Sequence, residues 1–136
     1  MRITTTMQGQ HRQCDELLAQ AEAAARRKDW ASCAAATSAF VTATEAHLAL
    51  EENRLFPAFE ATTGMSGGPT QMMRIEHAEM RDLMAGLGDA LSAQDGAEFL
   101  GCCETLLILL QQHNLKEENV LYPMCDRALP EFAEQL

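Results

Sequence analysis

Every histidine in this chain falls on one repeat register. His47 and His113 lie 66 residues apart, and so do His11 and His77. The segments His47-Leu48-Ala49-Leu50-Glu51-Glu52-Asn53-Arg54-Leu55-Phe56-Pro57 and His113-Asn114-Leu115-Lys116-Glu117-Glu118-Asn119-Val120-Leu121-Tyr122-Pro123 share the pattern His-x-x-x-Glu-Glu-Asn-x-Leu-(Phe/Tyr)-Pro. The same shift relates Met7 to Met73, Leu17 to Leu83 and Asp29 to Asp95. Identities elsewhere are few, so the conserved spacing marks two like halves whose histidines work in matched pairs.

Periodicity assigns helices to both halves. Met7, His11, Cys14, Leu18 and Ala21 recur at three- and four-residue steps, which puts them on one face of a first helix over about 7–28. Asp29 caps a second helix running to about residue 62, with Phe40, Ala43 or Thr44, His47, Glu51, Leu55 and Ala58 inward. Pro57 must kink that helix or bring it near its end. The stretch Gly64-Met65-Ser66-Gly67-Gly68-Pro69 separates the halves. Pro69 and Thr70 open a third helix bearing Met73, His77, Met80 and Met84 on one face. Asp95 caps the fourth, whose stripe is Leu106, Leu109 or Leu110, His113, Glu117, Val120 or Leu121, and Met124. Pro130 stops it, leaving residues 131–136 as a short turn or frayed end. Apolar residues make up 47% of the chain and aromatics only 5%, a balance suited to close-packed helices. The expectation is an all-α, antiparallel up-down-up-down four-helix bundle, one domain over residues 1–136, with pseudo-repeats at about 7–62 and 73–128.

His and Glu four positions apart stand one above the other on a helix. His47 with Glu51 and His113 with Glu117 therefore both point inward, and His11 and His77 add an imidazole each. Four imidazoles and two carboxylates inside an apolar bundle are costly unless something neutralises the carboxylates. Two cations would do so, with both carboxylates bridging and two imidazoles on each ion. Such mixed sites suit iron in redox or dioxygen chemistry, and zinc or manganese also fits. Calcium does not, since it takes oxygen ligands only. The metal ligands expected are His11, His47, Glu51, His77, His113 and Glu117.

Other residues carry weaker signals. Glu52 and Glu118, one step round the helix, read as flanking surface carboxylates or as supports that orient an imidazole through its outer N–H. Tyr122 and Phe56 occupy matched positions that read as packing, with a Tyr122 hydrogen bond near the metals as the alternative. Cys14 shares a face with His11 and reads as a small buried hydrophobe, with lining of the site as the alternative. The remaining thiols show no spacing that demands a role, and no Cys-x-x-Cys occurs.

A net charge of −10 argues against a nucleic-acid partner, which needs a basic stripe. The longest strongly apolar run, Leu106 to Leu110, is too short to span a bilayer. Met1-Arg2-Ile3-Thr4-Thr5-Thr6 is not followed by a signal-like apolar run. With five cysteines, that predicts reduced thiols and a cytoplasmic location.

The pattern of His11, His47-x-x-x-Glu51, His77 and His113-x-x-x-Glu117, each motif trailed by Leu-(Phe/Tyr)-Pro, resembles the hemerythrin-like, HHE cation-binding family over nearly the whole chain. The resemblance implies a left-handed four-helix bundle around a non-haem di-iron centre, bridged by Glu51 and Glu117. Oxygen-carrying members differ at two points. They have a second histidine four residues after the third-helix ligand, where this chain has Arg81, and they end in His-x-x-x-x-Asp instead of His113-x-x-x-Glu117. The likeness is thus nearer to members that sense iron or oxygen, respond to nitric oxide or peroxide, or repair iron centres. Absence of any Glu-x-x-His weighs against the ferritin-like class. Three functions compete: a di-iron protein binding or sensing dioxygen, nitric oxide or redox state; a di-iron redox enzyme, peroxidase-like or repairing iron centres; and a metal-free helical interaction module. The expected partners are a diatomic ligand or peroxide, with neither nucleic acid nor membrane.

Overall fold

The computed structural model describes residues 2–136; Met1, the start of the N-terminal stretch considered above, lies outside them. The described residues contain helices and no strand. Helix α1 spans Ile3–Arg26 and α2 spans Trp30–Leu50. A π-helical turn, Glu51–Leu55, joins α2 to α3, Phe56–Thr63. The second half repeats this order: α4, Pro69–Ala93; α5, Gly96–Lys116; a π-helical turn, Glu117–Leu121; and α6, Tyr122–Ala128. Helices α2 and α3 form one rod and α5 and α6 another, giving a bundle of four rods. Neighbours around it run α1–α2–α4–α5 and back to α1, as short connections between antiparallel helices require.

The two hairpin turns are built alike. Asp29 accepts from the Ser32 N–H at 3.2 Å and Asp95 from the Glu98 N–H at 3.1 Å, so both predicted caps are formed. Before each cap, one residue closes the preceding helix in the left-handed region: Lys28 at φ 57° and Gln94 at φ 52°. The N–H of Asp29 reaches back to Ala24 O, and that of Asp95 to Ala90 O. Glycine would adopt this conformation without a Cβ clash, so Gln94→Gly should raise unfolding free energy by about 1 kcal/mol. Urea unfolding would read this as a higher midpoint at unchanged slope; an unmoved midpoint would show that Gln94 is not strained.

Helix α1 begins one turn earlier than its periodicity suggests, because Asp126 satisfies its exposed start. The Asp126 carboxylate accepts from the N–H of Ile3 at 2.6 Å, the N–H of Thr4 at 3.2 Å and the Thr4 hydroxyl at 2.6 Å. Its counterpart is Glu60, which accepts from the Thr70 hydroxyl at 2.6 Å and pairs with Arg74. Residues 132–135 are no frayed end. They form a 3₁₀ turn, Phe132–Gln135, that buries Phe132 and Ala133 in the same cluster as Ile3, Met7 and Phe59, near the chain termini.

Burial resolves the open choices in the predicted stripes in favour of Thr44, Leu110 and Leu121; Val120 is 53% exposed. The apolar interior is in two parts. One, toward the hairpin turns, contains Leu18, Phe40, Met80, Leu87, Phe99 and Leu106. The other, toward the chain termini, contains Ile3, Met7, Leu55, Phe56, Phe59 and Leu121. All four histidines lie in the polar layer between them. No helix among the described residues is long and apolar enough to cross a membrane.

Candidate metal centre

Proline shapes the two helices that carry the His-x-x-x-Glu motifs. Pro57 and Pro123 have no N–H to give the carbonyl four residues back, and their rings crowd it. The helix widens by one residue instead of breaking. The N–H of Phe56 bonds to Glu51 O and that of Tyr122 to Glu117 O, each five residues back. Residues five apart then share a face. Phe56 and Tyr122 are thereby brought under the carboxylates, where Phe56 stacks on His77 (centroids 5.8 Å apart) and Tyr122 on His11 (5.7 Å).

All six sequence-predicted ligand side chains meet at one place, each less than 7% exposed in the bundle interior. Each carboxylate sits between an imidazole from each half. Glu51 Oε1 is 3.5 Å from His47 Nε2 and 3.1 Å from His77 Nε2. Glu117 Oε1 is 3.1 Å from His11 Nε2 and 3.2 Å from His113 Nε2. The Nε2 atoms of His11 and His47 approach to 3.1 Å. These donors form two groups: Glu51, His77, His113 and Glu117 in one, and His11, His47 and Glu117 in the other. Glu117 belongs to both.

The outer nitrogens fix the direction of the rings. Nδ1 of His11, His77 and His113 lies 2.7 Å from a carboxylate oxygen of Glu118, Glu52 and Glu76 respectively. Nδ1 of His47 lies 2.7 Å from Gln10 Oε1. With these oxygens accepting, each Nδ1 carries a hydrogen and a neutral ring turns its Nε2 lone pair inward. Four lone pairs then face two carboxylates, with few donors to match. Glu51 Oε1, Glu117 Oε2, His77 Nε2 and His113 Nε2 have no hydrogen-bond partner among the described residues. Orphaned acceptors of this kind cost about 1–3 kcal/mol each. Divalent cations remove that cost, and the imidazole and carboxylate donor set fits them.

Protons fill part of the gap when no cation is present. Burial, reinforced by the neighbouring charge of Glu117, raises Glu51 well above the usual carboxylate range. Burial also works against Glu117, but hydrogen bonds from Glu51, His11 and His113 outweigh it and hold that carboxylate ionised. Burial works to lower His11, and Glu117 and Glu118 more than reverse it, so its pKa is raised. His47, whose outer partner is neutral, is pushed by burial down to about 3. Burial lowers His77 as well. The Tyr122 hydroxyl lies 2.6 Å from Glu51 Oε2 and 2.9 Å from Glu117 Oε1, and burial beside these carboxylates keeps it a phenol.

Of the two readings open for Glu52 and Glu118, flanking surface or imidazole support, their contacts with His77 and His11 favour support. Gln10 and Glu76 escaped the sequence reading, although they too stand 66 residues apart, each immediately before a first-helix histidine. The register itself was their signal. The outer oxygens are in turn held: Glu118 by Gln8 at 3.2 Å, Glu76 by Lys116, and Glu52 by both ends of the Arg81 guanidinium at 2.9 and 3.0 Å. Arg81, standing where oxygen carriers have a histidine, also binds Glu45 at 3.0 Å. It supports an imidazole from outside the site and supplies none of its own. Glu52→Ala should therefore weaken metal binding about 10–100-fold while leaving the helix content intact. Competition with a chromogenic chelator measures this; unchanged affinity would mean that His77 needs no outer support.

The family model for the hemerythrin HHE cation binding domain matches residues 2–125. The chain belongs to this family of cation-binding helical domains. No curated protein and no solved structure matches it.

Proposed function

We propose that this protein holds two iron ions, ligated by His11, His47, Glu51, His77, His113 and Glu117, and uses them to bind or sense a small redox ligand, dioxygen or nitric oxide. The carrying observation is the convergence of four inward Nε2 atoms on two buried carboxylates, with every Nδ1 committed to an outer acceptor. Iron bound there would supply open coordination positions and a change of oxidation state. The chain's own residues set the conditions. Glu52, Glu76, Glu118 and Gln10 hold the imidazoles at fixed orientation, and the two apolar cores exclude bulk water above and below. Zinc or manganese satisfies the same donors, so the metal itself must be measured.

Metal analysis of protein purified without chelator should find close to two ions per chain. After anaerobic reduction, rapid mixing with dioxygen or nitric oxide should give a discrete, reversible spectral species. Protein that carries no stoichiometric metal would instead favour the helical interaction module.

A second reading is a di-iron redox enzyme, peroxidase-like or repairing iron centres. Tyr122 favours it, because its hydroxyl adds an O–H donor within hydrogen-bond reach of both carboxylates. Peroxide consumption that falls in Tyr122→Phe at unchanged iron content would support the enzyme over the sensor.

A further inference from the structure

The metal layer opens on one side into a cavity of about 10 Å³, room for one water-sized molecule. Three of its walls are His11, His47 and His113. Beyond them it is capped by the buried Cys14, Thr44, Leu48, Met80 and Leu110, with the less buried Asp15 and Asn114 at its rim. Four of these caps are two register pairs. Cys14 corresponds to Met80 and Thr44 to Leu110. At these two pairs the half built from α4 and α5 contributes apolar side chains, and the half built from α1 and α2 contributes a thiol and a hydroxyl.

Thr44 is 3% exposed, and its hydroxyl has no hydrogen-bond partner among the described residues. A threonine on a helix commonly returns its hydrogen to the carbonyl one turn back, as Thr63 and Thr105 do here at 2.7 and 3.1 Å. Thr44 does not. The Cys14 thiol beside it, kept neutral by burial, offers only a weak hydrogen bond. A buried hydroxyl with no partner stronger than a thiol, at the wall of a one-molecule cavity next to three inward imidazoles, has the attributes of a donor waiting for a better acceptor.

We propose that Thr44 is the specificity-determining donor of this cavity: it hydrogen-bonds the outer atom of a small ligand bound at the ions, and so selects ligands whose outer atom is a good acceptor, such as azide or a peroxide-like anion. This rests on the metal reading above. The apolar caps Met80 and Leu110 limit size, and Thr44 sorts what fits by its capacity to accept a hydrogen. Neutral nitric oxide, a poor acceptor, gains little from it.

The test uses the full chain loaded with iron, with metal content measured first in wild type, Thr44→Val and Thr44→Ser. Azide is the probe, titrated by its visible charge-transfer absorption, with nitric oxide as the poor-acceptor control. Thr44→Val, nearly the same shape without the donor, should keep the wild-type iron content and lose about tenfold in azide affinity. Thr44→Ser should restore most of that loss, and nitric oxide binding should change less than twofold in either variant. Iron content preserved with azide affinity unchanged in Thr44→Val overturns this inference alone. So does an equal loss of azide and nitric oxide, which would mark a packing role, or a loss of iron in Thr44→Val. Wild-type protein without iron overturns the metal reading, and this inference with it.

Discussion

Glu117→Gln should strip the protein of most of its metal. Glu117 is the one side chain that both donor groups share, so its charge would serve both ions of the proposed centre. Losing it should weaken binding by more than the roughly 10–100-fold that an outer support costs. The same substitution should also cost the metal-free protein about 1–3 kcal/mol, because the carboxylate accepts from Glu51, His11 and His113 there and a neutral amide leaves those buried partners without their anion. A fall in metal affinity that far exceeds this loss of stability distinguishes a ligand from a packing residue. Equilibrium dialysis against ferrous iron, paired with urea unfolding of the chelated protein, reads both. A variant that still holds two ions tightly would remove Glu117 from the centre of this account. Glu51→Gln is milder, because Glu51 belongs to only one of the two groups and already shares its second oxygen with Tyr122.

Chelation of the wild-type protein should lower its melting temperature by roughly 10–20 °C. A ligand present at about a thousand times its dissociation constant stabilises by about 4 kcal/mol, and in a chain of this size each kcal/mol moves the midpoint by several degrees. The increment depends on pH, with a definite sign. In the metal-free protein the pKa values of His11 and Glu51 are both raised. Each therefore favours the metal-free fold most strongly at low pH, and that contribution is lost as pH rises through the folded pKa. Ions compete for the same two sites, so they displace those protons. The melting-temperature gap between loaded and chelated protein should accordingly narrow as pH falls from neutral into mild acid. His47 and His77, already lowered by burial, contribute little to that competition. Calorimetric scans at a series of pH values measure the gap; one that stayed constant would mean that these protons are not in the way of the metal.

The sequence carried the convergence of the six side chains far, because histidine and glutamate recur at a spacing that puts them on one helix face in each half. His47 and Glu51 at four residues on a helix, matched by His113 and Glu117, fix a face; the 66-residue shift then fixes the partner half. What escaped was of two kinds. Gln10 and Glu76 carry the orienting contacts to His47 and His113, but a single glutamine and a single glutamate look like ordinary helix surface until the neighbouring helix is in place. The widened turns were hidden for another reason. Pro57 announces that the helix is disturbed, yet a kink, a stop and an added residue per turn are all ways to accommodate a missing N–H. The last of these wins here because it returns Phe56, Phe59, Tyr122 and Cys125 to the buried side, whereas an ordinary helix would have rotated them toward its flank. Asp126, which starts α1, is likewise invisible until the two ends of the chain are neighbours.

The outer partners of the four imidazoles have a consequence for how the protein becomes loaded. His77 and His113 are each backed by a carboxylate, which makes them stronger electron donors, whereas His47 leans on the amide of Gln10 and only His11 of that pair has an anionic support. The two proposed seats would therefore be unlike despite the duplication that made them. The first equivalent of metal should settle between His77 and His113 and the second between His11 and His47. A half-filled protein is then a distinct chemical species, and a titration followed by histidine ring resonances should show two successive steps instead of one.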